Sequence, residues 1–163
     1  SRGWEIEPGS AMTGNDSTSA DREVLVAIGG LATSIGQATI VSADWNITTF
    51  DKSAGGTLSV TVRYNEAVTV VTSGGTPTIT VTNDTNANHT LSYASGSTTN
   101  ELIFTLVIAA ANAATDADDV LSVAAQSVSL NSGTLTDSIG AGNAEVVITA
   151  GQGTAAGTLT VVA

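Results

Sequence analysis

The chain has no cysteine. That absence removes a disulfide framework, thiolate zinc sites and cysteine nucleophiles together, and leaves the redox compartment open. Cations are also scarce: Lys and Arg number 4 against 15 Asp and Glu, a formal net charge of −11. Nucleic-acid phosphates and anionic membrane surfaces repel such a chain, which argues against nucleic-acid binding as a main role. No stretch approaches the roughly 20 apolar residues that a membrane-spanning helix needs, so membrane insertion is not expected. The N-terminal SRGWEIEPGSAMTG lacks the basic start and apolar stretch of a secretory signal. The expectation is that a signal has been removed, or that the protein leaves the cell by another route, for example within a particle.

What is present suits strands. Of 163 residues, 42% are apolar and only 12% charged. The polar remainder is mostly Thr, Ser, Gly and Asn, residues of strands and turns. The length fits one ordinary domain with extensions, and such a domain buries roughly 70% of its unfolded surface. Neither a metal nor a disulfide is therefore required for its stability.

Three segments follow from the pattern. Residues 1–37 read as an extended N-terminal arm and one short strand. Trp4, Glu5 and Ile6 lie in the arm, ahead of the turn-rich GSAMTGNDSTSAD, which has little capacity to bury itself. Glu23 to Ile28 follows as a strand with Val24 and Val26 on one side, and an uncovered edge there favours association with another chain. Residues 38–150 carry the regular alternation. Val41, Ala43 and Trp45 share a face; Leu58, Val60, Val62 and Tyr64 follow, and after an Asn65-Glu66 break come Pro77, Ile79 and Val81. Leu102, Phe104, Leu106 and Ile108 form another row, with Ile103 and Val107 apolar on the opposite side, the pattern of a central strand. AAANAATDADD reads as a crossover loop with room for one helical turn. Leu121 and Val123 lie on one parity, and Val128 and Leu130 on the other, which requires a bend near Ala125-Gln126. Residues 151–163 read as a turn followed by a short closing strand with Leu159 and Val161 alternating.

Few residues suggest chemistry. His89, the single histidine, sits in a turn-like Asn-Ala-Asn-His-Thr and reads as a surface residue, with no nucleophile elbow near it. Glu66 is placed to pair with Arg63 or to accept backbone donors at a bulge, and no second acid is nominated to face it as glycoside hydrolysis would need. Asp116, Asp118 and Asp119 form the densest acidic cluster, but the glycine and distal glutamate of a calcium loop are missing, so solvated turn acids are the default. The Gly-x-Gly pairs starting at Gly140 and Gly151 have no following lysine and no helix to open, and read as turns. The Asn-x-Ser/Thr triplets at Asn15, Asn46, Asn83 and Asn88 are expected by chance in so Thr-rich a chain. Catalytic and metal residues are therefore not nominated. Trp45 reads as core, whereas Trp4 is the better anchor for a partner's pocket.

AGGTLSVTVRYNEAVTV, GGTPTITV, TLSYASGSTTNELIFTLVI and DADDVLSVAAQSVSLNSGTLTD, taken in order, resemble the bacterial immunoglobulin-like repeats of surface proteins and adhesins. The resemblance covers residues 38–150 and implies an all-β, immunoglobulin-like β-sandwich of about seven strands. A single unit with an arm and a closing strand looks like a small coat component, similar to phage capsid decoration proteins. What this implies is a non-enzymatic virion structural protein that binds the major capsid protein or another virion protein. Trp4, Glu5, Ile6, Val24 and Val26 are the partner-binding candidates, a homo-oligomer is expected, and no cofactor is. The alternative is a carbohydrate- or receptor-binding adhesin module at a bacterial cell surface.

Overall fold

Period-two alternation of apolar residues puts one face of each strand inside, and the computed structural model shows where each such face lies. It describes residues 2–6, 18–19, 23–28, 36–140 and 142–163. The chain divides into two units, Ser1–Ile35 and Gly36–Ala163. In the first, β1 (Arg2–Ile6) pairs antiparallel with β2 (Glu23–Ile28). The second contains β3 (Ile40–Trp45), β4 (Phe50–Asp51), β5 (Gly56–Val71), β6 (Thr78–Asn83), β7 (His89–Ser95), β8 (Thr99–Ile108), β9 (Val120–Val123), β10 (Gln126–Ser127), β11 (Thr134–Asp137), β12 (Val147–Ile148), α1 (Ala150–Ala156) and β13 (Thr158–Val162).

Nine of these strands join one sheet in the order β11-β5-β8-β7-β6-β9-β13-β4, with β3 also on β5. The pairings are antiparallel except β13 with β4. The sheet curls so that its two halves share one core. Leu58, Val60, Val62 and Tyr64 of β5, with Leu102 and Phe104 of β8, meet Ile79, Val81, Leu121, Leu159 and Val161 from the other half, all buried. Removing each such side chain from water contributes about 1.5–3 kcal/mol, so the core supplies the main driving force. β8 is central, between β5 and β7, as its two apolar faces suggest, yet Val107 on its outer face is 76% exposed. The fold is thus all-β, with one short helix among the described residues.

Four readings of the sequence change. In β3 the ladder shifts between Ile40 and Ser42, so Ile40 turns inward and Val41 outward, where it is 55% exposed; Val41 does not share the inner face with Ala43. A one-residue bulge reverses parity, and simple alternation cannot show it. The Asn65-Glu66 break is not a strand end either: β5 runs through it for 16 residues, with its ladder to β8 shifting between Arg63 and Val68. The crossover loop before β9 contains turns rather than helix. The helix lies instead in the segment that the sequence placed as a turn, Ala150–Ala156.

That helix has a local cause. The Thr149 hydroxyl accepts from the Gln152 amide while the Gln152 side chain accepts from the Thr149 amide, a capping box that satisfies two otherwise orphaned donors. Gly153 then allows close packing, since a Cβ there would sit 2.5 Å from the Val123 carbonyl oxygen. Gln152 Nε2 donates to the Ile40 carbonyl at 2.6 Å and fixes the helix to β3. The expected bend near Ala125-Gln126 is present: the chain leaves β9 and pairs as β10 with β12, and Val123 and Val128 are both buried across the change of parity.

Candidate functional site

The residues that the sequence nominates for partner binding fall on the β1-β2 ladder. Trp4 lies opposite Val26, Glu5 opposite Val24 and Ile6 opposite Glu23, with a register shift between Trp4 and Glu5. The backbone therefore brings all five candidates into one two-stranded element rather than dividing them between an arm and a separate strand. Their side chains lie outside the described residues. Among the described residues this sheet has two strands, and a backbone edge left unpaired is the kind of template on which another chain can add a strand.

A second polar assembly occupies one end of the sandwich, where residues 84–88 and 109–119 connect strands. Asp119 is 1% exposed. Its carboxylate accepts from Asn83 Nδ2 at 2.7 Å, from Asn86 Nδ2 at 3.1 Å, from the Asp116 amide at 2.8 Å and from the Thr85 hydroxyl. Asn83 cannot turn its amide around without loss, because its Oδ1 already accepts the Thr85 and Asn86 amides at 3.1 and 3.2 Å. This Asx-type turn explains the Asn83-Asp84-Thr85-Asn86 run. Burial would push the Asp119 carboxyl up, but the hydrogen bonds from Thr85, Asp116, Asn83 and Asn86 outweigh it and hold it well below the usual carboxylate range. Outside this core Lys52 Nζ reaches Asp116 Oδ1 at 2.6 Å, tying the turn after β4 to the same loop.

The three acids suggested for calcium therefore do different things. Asp119 is buried and filled with protein donors, Asp116 is paired with Lys52, and Asp118 adopts a positive φ of 71° while its amide donates to the Val161 carbonyl. No group of three or more His, Cys, Asp or Glu side chains converges as a metal centre among the described residues. The reading of all three as solvated turn acids fails for Asp119. The Asn83, Thr85 and Asn86 side chains, three to six residues before β7, were the sequence signal for a buried acceptor.

His89 also departs from expectation. It opens β7 and is 5% exposed, with Nε2 enclosed and without a partner. Its inward direction follows from its register: it is opposite Val81, which is opposite Val123. Burial lowers its pKa, an effect that the Asp119 charge opposes. Glu66 does not pair with Arg63, which instead meets Glu101 at 3.2 Å. Both Glu66 oxygens are enclosed and accept no hydrogen bond among the described residues.

Two depressions lie among the described residues. One, of about 510 Å³, is lined by Gln37, Leu130, Thr134, Val146 and Val147, and Glu145 is its single carboxylate. Glu145 Oε2 accepts the Ile40 amide at 2.9 Å and its backbone carbonyl accepts from Tyr64, so it secures the first residues of the sandwich. The other, of about 380 Å³, lies between β9 and α1 among Ala124, Ala125, Ala150, Gly153 and Gly157 and contains no titratable side chain. Neither brings together the paired acid and base or the nucleophile and base that catalysis would use. No family model, curated protein or solved structure matches the chain.

Proposed function

We propose that this is a non-enzymatic virion structural protein, which docks on a phage capsid through its N-terminal ladder and the exposed edges of its sandwich. The observation that carries the reading is the division of the chain into two compact units, the smaller of which pairs β1 with β2 and so holds Trp4, Glu5, Ile6, Val24 and Val26 in one ladder. The strand order supports the immunoglobulin-like part of the reading. β3-β5-β8-β7 and β6-β9-β13 follow the A-B-E-D and C-F-G order of such sandwiches, with β7 and β6 paired here so that the two runs form one continuous sheet. The partner under this reading is the major capsid protein or a neighbouring virion protein, with further copies of the chain alongside.

One observation favours the alternative of a surface-exposed adhesin module. Residues 38–39 enter beside Asn65 and Glu145, whereas Val162 leaves beside Lys52. These points lie roughly 30 Å apart along β5 at about 3.3 Å per residue, so such units could be joined end to end. Co-sedimentation with particles separates the two. Under the virion reading the full chain sediments with capsids at fixed stoichiometry, and Trp4→Ala or removal of residues 1–22 abolishes this while the sandwich still melts cooperatively. Unchanged binding by both variants would remove the role assigned to the ladder, and retention on a glycan array without capsid binding would favour the adhesin module.

A further inference from the structure

We propose that His89 is an acid-sensitive trigger for the loop clasp: when its imidazole takes up a proton, residues 84–88 and 109–119 part and the end of the sandwich that they cover opens. The inference is independent of the capsid reading. Its geometry is the enclosure of the one histidine on the inner face of β7, opposite Val81 of β6, the strand that ends at Asn83. Nε2 is buried without an acceptor, and the neighbouring inner-face residues on β6 and β9, Val81, Asn83, Leu121 and Val123, bring no charge.

The charged groups nearby are few. From residues 109–119 the Asp119 charge acts on the imidazole, and Asp116 is held by Lys52 of the turn after β4. From residues 84–88 Asp84 accepts the Val120 amide at 2.8 Å. An imidazolium has two donors to satisfy. If it stays in place, its Nε2–H is buried without an acceptor, which is costly. If it moves to Asp119, it competes with Asn83, Thr85 and Asn86 for oxygens that already hold four donors. Both outcomes work against the clasp.

The sign follows from linkage. Burial lowers the imidazole pKa in the closed form, with Asp119 opposing, so the open form binds the proton more readily. Opening therefore becomes more favourable as pH falls below about 6.5, by at most tenfold per pH unit, and levels off below the closed-form pKa. Above pH 7 the group is neutral in both forms and the clasp is at full strength.

The test is amide hydrogen exchange of the full chain between pH 7.5 and 5, corrected for intrinsic exchange and read at Thr85, Asn86 and Asp116, with NMR titration of the imidazole. Because the chain has one histidine, its signal is unambiguous. We expect the imidazole to titrate below 6.5, opening at the three amides to rise several-fold by pH 5.5, and amides at the opposite end, at Gly75 and Gly133, to stay unchanged. His89→Gln should remove the pH dependence. Titration at or above 6.5, pH-independent opening, an equal rise at both ends, or the same pH dependence in His89→Gln would each overturn the proposal. The first three outcomes are read on the unmodified protein, so they stand even if the variant does not fold.

Discussion

Replacing Asp119 by alanine should be among the most damaging changes at the sandwich ends. The substitution removes the acceptor for Asn83, Asn86, Thr85 and the Asp116 amide at a site 1% exposed. A hydrogen bond to a charged group contributes about 1.5–3 kcal/mol net, and a buried donor left without a partner costs about 1–3 kcal/mol. The four bonds share one carboxylate and are not additive, and opening the loops would let water reach some donors. A loss of about 3–5 kcal/mol is therefore expected, in the range seen when one partner of a buried charged network is removed. At roughly 3 °C per kcal/mol for a chain of this size, the melting midpoint falls by about 10–15 °C. Urea unfolding followed by circular dichroism measures the loss directly, with an unchanged slope and a lower midpoint. A cycle with Asn83→Ala should show more than about 1 kcal/mol of coupling. If Asp119→Ala melted within 2 °C of the unaltered protein, or if the cycle gave no coupling, the network would be a surface arrangement that water replaces, and the clasp would have no energetic basis.

Four other outcomes follow from the same geometry. Gly75→Ala places a Cβ 1.6 Å from the Asn131 carbonyl oxygen, which the backbone cannot accommodate, so thermal melting should show a loss of about 3 kcal/mol or more. Thr149→Ala removes the hydroxyl half of the capping box and should cost about 1 kcal/mol, with exchange protection lost first at Gly153. Tyr64, buried and with the Glu145 charge near it, has its phenol pKa pushed well above the ordinary value, so ultraviolet titration should show Tyr64 ionising only as the fold is lost. Acid unfolding should have its main fall below about pH 4: Asp119 is held low despite burial, and Asp137 is held low by the Gly140 and Ile139 amides, so both contribute stability above their unfolded values and lose it as pH drops through the folded ones. A fall of global stability complete by pH 5 would contradict that ordering.

The core was legible because alternation is a direct consequence of strand geometry. Leu58, Val60, Val62, Tyr64, Ile79, Val81, Leu102 and Phe104 announce their burial by spacing alone. What was not legible depends on contacts between distant segments. Ile40 and Val41 take the faces opposite to simple alternation because of a bulge, with two steps along β3 against one along β5, that only the pairing with β5 reveals. His89 reads as a turn residue by its Asn-rich neighbours, but its register with Val81 turns it inward. The helix over Ala150–Ala156 carries three unhelpful signals, Gly151, Gly153 and a length of 7 residues, and one helpful one, the Thr149-x-x-Gln152 capping box. Lys52 and Asp116 are 64 residues apart, and nothing local pairs them.

The two ends of the sandwich are closed by different physics, and this sets where each is vulnerable. At one end side chains meet side chains around a charge: Asp119 gathers its donors and Lys52 holds Asp116. At the other end backbone meets backbone. Gly74 and Gly75 lie against the Ser132 and Asn131 carbonyls so closely that added Cβ atoms would fall 2.2 and 1.6 Å from them, while Asn131 Nδ2 donates to the Thr76 carbonyl at 2.9 Å. Asn131 and Ser132 reach this contact at positive φ angles of 50° and 71°. No titratable group takes part there, so volume rather than protonation is what that end resists. The charged end should be the opposite, tolerant of small changes in size at exposed positions such as Asp118 but sensitive to removal of a charge or donor. Exchange protection should accordingly respond to pH at Thr85 and Asp116 and to Gly75→Ala at Gly133; a single response shared by both ends would mean that they open as one unit.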